Sequence, residues 1–320
     1  MIPCQAIQEL DPHSAPRVAS IDIGTNTLLL LIADVGQGVL KPLLEIETVV
    51  GLGKGLQKSG IISPEAMNRG YDTLDHYVER CRGMGVQKIF TIGTSALRDA
   101  TNSREFLERV KEKLGLSIEI ISGEEEAQLS YLAVTKDLQE PEKMILVVDV
   151  GGGSTEFILG KGNQIIQWVS LPLGSVRFTE QYLISDPVKE DEWDSMEKAI
   201  RRAWVDLPRS RELPWMVAVG GTATTLAAVA LGLKEFSAET IHHFVLKEEA
   251  LRNQLSLYRS KTVDERRKIP GLFPNRADVI LAGGAILCLA MEELECPSVL
   301  VSCHGIRYGL LYQRLHSLII

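Results

Sequence analysis

The chain has 320 residues, 45% hydrophobic and 24% charged, a balance that supports an ordinary buried core and leans toward two domains. Its net charge of −8 argues against a general nucleic-acid or anionic-membrane binder and requires any anion site to be concentrated in one place. Five scattered cysteines (Cys4, Cys81, Cys288, Cys296 and Cys303) form no Cys-x-x-Cys pair, no apolar run reaches the ~18 to 20 residues of a bilayer span, and Met1 to Arg17 lacks signal-peptide order, so a reduced cytoplasmic protein is expected.

Val18 to Ile23 reads as a buried strand, residues 24–27 as a tight polar turn, Leu28 to Val35 as a returning strand and Leu40 to Val50 as a third, running into the glycine-rich 51–55 loop. Ser63-Pro64-Glu65 has the residues of a helix start, and that helix reaches to about Arg82. Lys88 to Ile92 is a strand, Ser103 to Leu114 a helix stopped by Gly115, and Ser117 to Ile121 a strand. A helix opening at Ser122 to Glu126 runs through Tyr131 to about Thr135.

The second half repeats the order. Met144 to Val150, Glu156 to Leu159 and Gln164 to Leu171 read as strands, then Ser175 to Leu183 and Val188 to Val205 as helices. Trp215 to Val219 is a strand followed by a Gly220-Gly221-Thr222 turn and an apolar helix. Phe244 to Arg259 and Asp278 to Leu294 look helical, Ser298 to Ser302 extended, and Ile306 to Leu318 helical. Strand, Asp-x-Gly turn, strand and strand recur at an offset of 149 − 22 = 127 residues, the pattern of an internal duplication with two domains facing across a cleft.

In Asp149-Val150-Gly151-Gly152-Gly153-Ser154-Thr155 a carboxylate at a strand end is followed by three glycines and two hydroxyls. Such a backbone turns N–H groups into one concavity that holds phosphate oxygens, leaving the carboxylate to orient metal-bound water. Asp22-Ile23-Gly24-Thr25-Asn26-Thr27 offers the same equipment. Glu124, Glu125 and Glu126 fan over about 200° of a helix, so at most one or two face a common site; dipole complementation accounts for the rest, and one is a candidate general base. Arg98, after a strand, has a planar fork suited to phosphate, with a surface ion pair as its plainer role. Arg266, Arg267 and Lys268 look like a solvated helix face. Residues 51–55 fit neither a dinucleotide fingerprint nor a P-loop, and no Gly-x-Ser-x-Gly elbow is present. The neighbours Cys303-His304 and His242-His243 are not expected to aim both side chains at one metal.

These segments resemble the exopolyphosphatase and guanosine-pentaphosphate phosphatase (Ppx/GppA) family, a branch of the actin, sugar-kinase and Hsp70 superfamily. The resemblance rests on Ser20-Ile21-Asp22-Ile23-Gly24-Thr25-Asn26, on residues 93–98, 121–127 and 148–156, on Gly220-Gly221-Thr222 and on Pro270-Gly271-Leu272. It implies an α/β fold of two ribonuclease-H-like (actin-like ATPase) domains, 1–126 and 127–304, flanking a cleft, with a C-terminal helix in 305–320 packing back on the first.

The resemblance places the catalytic glutamate at Glu126. It places phosphate contacts at Gly24, Thr25, Asn26, Arg98, Gly151, Gly152 and Ser154, to which the glycine turns add Gly153, Gly221 and Thr222. Asp22, Asp149 and Glu156 are then expected around Mg²⁺ or another divalent cation. The implied activity is exopolyphosphatase, release of orthophosphate from the ends of inorganic polyphosphate by metal-assisted attack of water. The alternatives are a 5'-phosphohydrolase of guanosine pentaphosphate (pppGpp), the stringent-response nucleotide, an ATP-dependent kinase of the same superfamily, or a nucleotide-switched binding protein. No nucleic-acid or membrane partner is expected; family analogy implies a homodimer. Longer members append a helical phosphohydrolase-like domain, which this chain is not expected to carry, and in the segment 301–309 residues 303, 304 and 308 depart from the more charged forms of the family's motif there.

Overall fold

The apolar runs before and after Asp22 pair as β1 (Arg17–Ile23) and β2 (Thr27–Gly36), with β3 (Val39–Val49) beside them. The computed structural model describes residues 16–36, 39–140, 142–204 and 206–315; the ends of the expected segments 1–126 and 305–320, Cys4, and the ends of the helices expected to reach Val205 and Leu318 lie outside these. The chain continues through α1 (Leu56–Ser59), α2 (Pro64–Gly83), β4 (Lys88–Gly93), α3 (Ser95–Asp99), α4 (Ser103–Leu114), β5 (Ile118–Ile120) and α5 (Gly123–Leu138). Local chemistry sets these bounds: the Ala66 N–H donates to Ser63 Oγ at 3.2 Å with Pro64 in the first turn, and α4 stops where Gly115 adopts a left-handed φ of 71°.

The second half comprises β6 (Met144–Val150), β7 (Thr155–Lys161), β8 (Gln164–Leu171), α6 (Ser175–Tyr182), α7 (Glu190–Arg202), β9 (Trp215–Val219), α8 (Gly220–Ala230), α9 (Ala238–Ile241) and β10 (Phe244–Lys247). It continues with α10 (Glu248–Arg259), α11 (Val263–Arg266), a 3₁₀ turn at Pro274–Arg276, α12 (Ile280–Glu293), β11 (Ser298–Val301) and α13 (Ile306–Leu315). The sheets run β3-β2-β1-β4-β5 and β8-β7-β6-β9-β11-β10, the same order and directions with one antiparallel edge strand added. Register repeats too. Asp22 pairs with Leu29 and Asp149 with Glu156, and 149 − 22 = 156 − 29 = 127.

Three expectations are corrected. Phe244 to Arg259 is not one helix: Phe244, Val245 and Leu246 complete the open edge of β11, and the helix begins at Glu248, a choice of hydrogen-bond partner that apolar spacing alone does not encode. Gly220-Gly221-Thr222 is the first turn of α8, entered at a Gly220 φ of 84°. Arg266 is not solvated. It is 2% exposed, donating from Nε to Tyr258 O at 2.8 Å and from Nη1 to Ala277 O at 3.3 Å, while Arg267 and Lys268 stay outside. Carbonyls take the place of water at Nε and Nη1, while Nη2 is buried without a partner.

Leu74, Tyr77, Phe106 and Val110 of α2 and α4 cover one face of the first sheet. On the other face, Leu311 and Leu315 of α13 and Ala133 of α5 pack on Val18, Leu31 and Ala33. The opposite side of α5, through Ala127, Tyr131 and Val134, packs on Val147, Ile158 and Val217 of the second sheet, so α5 lies between the sheets. Helices α6, α7, α8, α10 and α12 close the outer face. Among the described residues no helix is long and apolar enough to cross a membrane.

Candidate active site

The two first strands end in matching turns. The Gly24 N–H donates to Thr27 O at 3.0 Å and the Gly151 N–H to Ser154 O at 3.0 Å, so each turn closes on the third residue after its aspartate-linked glycine. The turns also abut. A Cβ on Gly152 would lie 3.0 Å from Thr25 Cβ and 3.1 Å from Asn26 N, and one on Gly153 would lie 2.3 Å from Ser95 Oγ. Only glycine permits this approach.

A cleft with a cavity volume of about 120 Å³ opens over the turns. Asp22, Gly24, Thr25, Asn26, Glu126, Asp149, Gly151, Gly152, Gly153, Ser154, Gly221 and Thr222 all line it. Arg98 and Glu156 stand behind the lining. Arg98 Nη1 donates to Glu126 Oε2 and to Ile121 O, each at 2.8 Å, and the Glu156 carboxylate, 1% exposed, accepts from Ser170 Oγ at 2.7 Å. The Thr222 hydroxyl is committed to Val150 O at 3.0 Å.

The glutamate triplet divides its labour by helix geometry. Glu125 caps α5: its Oε2 accepts from the Ser122 N–H at 2.8 Å while Ser122 Oγ accepts from the Glu125 N–H at 3.2 Å. Glu124 faces outward to Gln128, 3.3 Å away. Glu126 turns into the cleft. One turn further, Ser130 Oγ donates to Asp149 Oδ2 at 3.0 Å, so the same helix holds an acid of each half.

Burial pushes the Glu126 carboxyl up to about 7 against the pull of Arg98, with Asp149 adding to the rise. Burial likewise raises Asp149 to about 6, tempered by the Ser130 bond. Asp22 is held well above the carboxylate range by burial and by the charges of Glu126 and Asp149; Glu156 is raised by burial and by the same two groups. Asp22 Oδ1 is buried without a hydrogen-bond partner. Crowded carboxylates with an orphaned oxygen suit a hard divalent cation, which takes oxygen ligands and keeps part of its water shell. Asp22, Asp149 and Glu156 are not among the residue groups whose ligand atoms all fall within 4.8 Å of one another. Shared contact through that water shell suits this wider spacing.

Several cleft residues carry no strong sequence signal. Arg276 Nη2 lies 2.6 Å from Glu47 Oε1 and 3.1 Å from Thr27 Oγ1, and its guanidinium covers Gly221 so closely that a Cβ there would come within 1.9 Å of Nη2. On another side Arg177 reaches Asp99 Oδ2 at 2.6 Å and Gln57 Oε1 at 2.8 Å. The Arg276 pair joins the two halves across this cleft, and the Arg177 contacts join them beside it. Arg307 also lines it, ion-paired to Glu45. Ser130 alone had a readable cue, sitting four residues after Glu126 on one helix face.

Away from the cleft, His242 and His243 reach the two oxygens of Asp137, at 3.2 and 2.8 Å, while only His242 joins Asp137 and His304 in a group close enough to share one ion. A left-handed φ of 64° at His243 swings the second ring round, and His304 Nδ1 joins them 3.4 Å from Asp137.

Two sheets of this order, each delivering an Asp-x-Gly turn to one cleft, define the actin-like ATPase class of fold. The chain belongs to the Ppx/GppA phosphatase family, whose model matches residues 31–318. It is 34% identical over 306 residues to the guanosine-5'-triphosphate,3'-diphosphate pyrophosphatase of Vibrio campbellii, covering 95% of this chain and 60% of that one. The chain thus spans 60% of the length of the curated relatives it matches. Among solved structures it is similar to the Aquifex aeolicus family member (33% identity, TM-score 0.79, 94% and 98% coverage of the two chains). It is also similar to an exopolyphosphatase from Cytophaga hutchinsonii (28% identity, TM-score 0.86, 94% and 98% coverage).

Proposed function

We propose that the chain hydrolyses a terminal phosphoanhydride, with guanosine pentaphosphate as substrate. The observation that carries the hydrolysis is Glu126: a carboxyl raised to about 7 by burial, facing a cleft floored by two amide turns. A general base poised near the working pH is the most effective kind, and phosphoryl transfer asks little more than positioning and charge stabilisation.

The turns at 24–26 and 151–154 would hold the terminal phosphoryl by main-chain N–H groups and the hydroxyls of Thr25 and Ser154. Glu126 takes a proton from water as its oxygen bonds to phosphorus and the bridging P–O bond breaks, releasing orthophosphate and the shortened substrate. Arg98 orients Glu126, and Ser130 orients Asp149. Asp22 and Asp149, with Glu156 behind, would hold a divalent cation such as Mg²⁺, which when bound neutralises phosphate charge.

The choice of pppGpp is supported by the name of the Vibrio relatives at 34% identity. Inorganic polyphosphate is the second reading, supported by the likeness to the Cytophaga exopolyphosphatase. Purified protein with Mg²⁺ and pppGpp, polyphosphate or ATP, scored for free phosphate and ADP, tests both. Phosphate from pppGpp is the expected result, and Glu126→Gln is expected to lower it by about 10²- to 10⁴-fold with folding intact. Full release by that variant would remove Glu126 as the base, and ADP formation only with a phosphorylated acceptor would make the chain a kinase.

A further inference from the structure

The two turns offer the cleft amides, hydroxyls and carboxylates, and an aromatic ring also stands among the lining residues. Phe236 is 49% exposed there, in the segment between α8 and α9. Phe273 packs against it at a centroid distance of 5.8 Å and an interplanar angle of 53°, a tilted contact that leaves about half of Phe236 exposed. Phe273 begins the short turn that delivers Arg276 to Glu47, so ring, guanidinium and carboxylate are brought to one side of the cleft. Both bonds from Arg276 to Glu47 end on Oε1, leaving Oε2 to accept from a ligand N–H.

A phosphate chain has no use for such a ring. It is strongly hydrated, offers no flat apolar face, and gains nothing beside phenyl carbon. A nucleobase gains both stacking area and an acceptor for its N–H edge.

Resting on the hydrolase reading above, we propose that Phe236 is the stacking platform for the base of a nucleotide substrate, and that it selects pppGpp over inorganic polyphosphate. The ring acts on binding alone and takes no part in the attack of water.

The test uses the full chain as wild type, Phe236→Ala and Phe236→Trp. Hydrolysis of pppGpp and of polyphosphate is followed by phosphate release, and binding of ppGpp, the product that lacks the terminal phosphate, by calorimetry. The alanine variant is expected to raise KM for pppGpp and Kd for ppGpp by about 5- to 100-fold, the range of base–aromatic stacking, with kcat and all polyphosphate constants within about twofold. The tryptophan variant is expected to retain wild-type affinity. An unchanged Kd for ppGpp in the alanine variant, or an equal loss with polyphosphate, overturns the platform while leaving the hydrolase reading intact. A wild type that binds ppGpp through Phe236 but releases no phosphate would sink the hydrolase reading and keep the platform.

Discussion

Helices α5 and α13 cross at backbone contact, and Gly309→Ala tests what that contact holds. A Cβ at 309 would lie 1.9 Å from Leu129 O, 2.6 Å from its carbonyl carbon and 2.9 Å from its Cα. All three are main-chain atoms, so no side-chain rotation relieves the clash. Restoring an ordinary non-bonded separation requires the helices to part by roughly 1.5 Å. Overpacking on this scale costs about 1–3 kcal/mol or more, which for a chain of this size lowers Tm by roughly 5 °C.

The displacement bears on chemistry because Leu129 lies between Glu126, in the cleft, and Ser130, bonded to Asp149 at 3.0 Å. Helix α5 is hemmed in by both sheets, and misplacing a reacting group by ~1 Å can cost about 10²-fold in rate. Thermal denaturation and phosphate release, measured together, are expected to fall together. Gly83→Ala serves as control, since a Cβ there meets no heavy atom within 4 Å. A lowered Tm with unchanged turnover would mean that α13 alone gives way, and would refute the claim that this crossing positions Glu126. Wild-type values for both would refute the clash itself.

Glu126 must be unprotonated to accept a proton, so turnover is expected to climb as pH rises through about 7. Arg98 pulls that carboxyl down; Arg98→Met should therefore move the rising limb to higher pH, and an unmoved limb in a pH–rate profile would show that another group sets it. Asp22 is raised in the folded state, so its charge disfavours folding: the contribution is favourable below the unfolded carboxyl range and is lost as pH rises. At neutral pH in chelator, Asp22→Asn is expected to melt higher than wild type, whereas added Mg²⁺ should raise the wild-type Tm more than the variant's. Equal Mg²⁺ shifts in thermal melts would remove Asp22 from the cation site.

The duplicated sheets were legible because a buried strand ending in a polar turn leaves a local trace, and that trace recurs 127 residues on (149 − 22 = 127). Within the glutamate triplet helix geometry alone left the general base open among three acids and the family resemblance singled out Glu126, while the capping box with Ser122 takes up Glu125. Arg276 and Glu47 left no such trace. They are 229 residues apart, and only tertiary folding joins an arginine after a proline turn to an acid on a strand. Arg266 misled for a related reason: beside Asp264, Glu265, Arg267 and Lys268 its composition is that of a wet helix, and the carbonyls of Tyr258 and Ala277 with the charges of Asp186 and Asp278, all outside that run, ease its burial.

In the proposed reading phosphate is held by the main-chain N–H groups of two turns, each closed by a glycine N–H onto the carbonyl three residues along. Amide donors come with every residue but proline, so the grip on an anion is nearly immune to side-chain drift, provided glycines 24, 152 and 153 keep their clearance. The rim has no such protection. Glu47, Phe236 and Arg276 are single side chains on separate segments, each replaceable in one mutational step. Descent can therefore retarget such a protein from one phosphorylated compound to another without passing through a state that cannot hold phosphate. A library built on this chain is best randomised at those three rim positions, with residues 22–26 and 149–154 kept fixed.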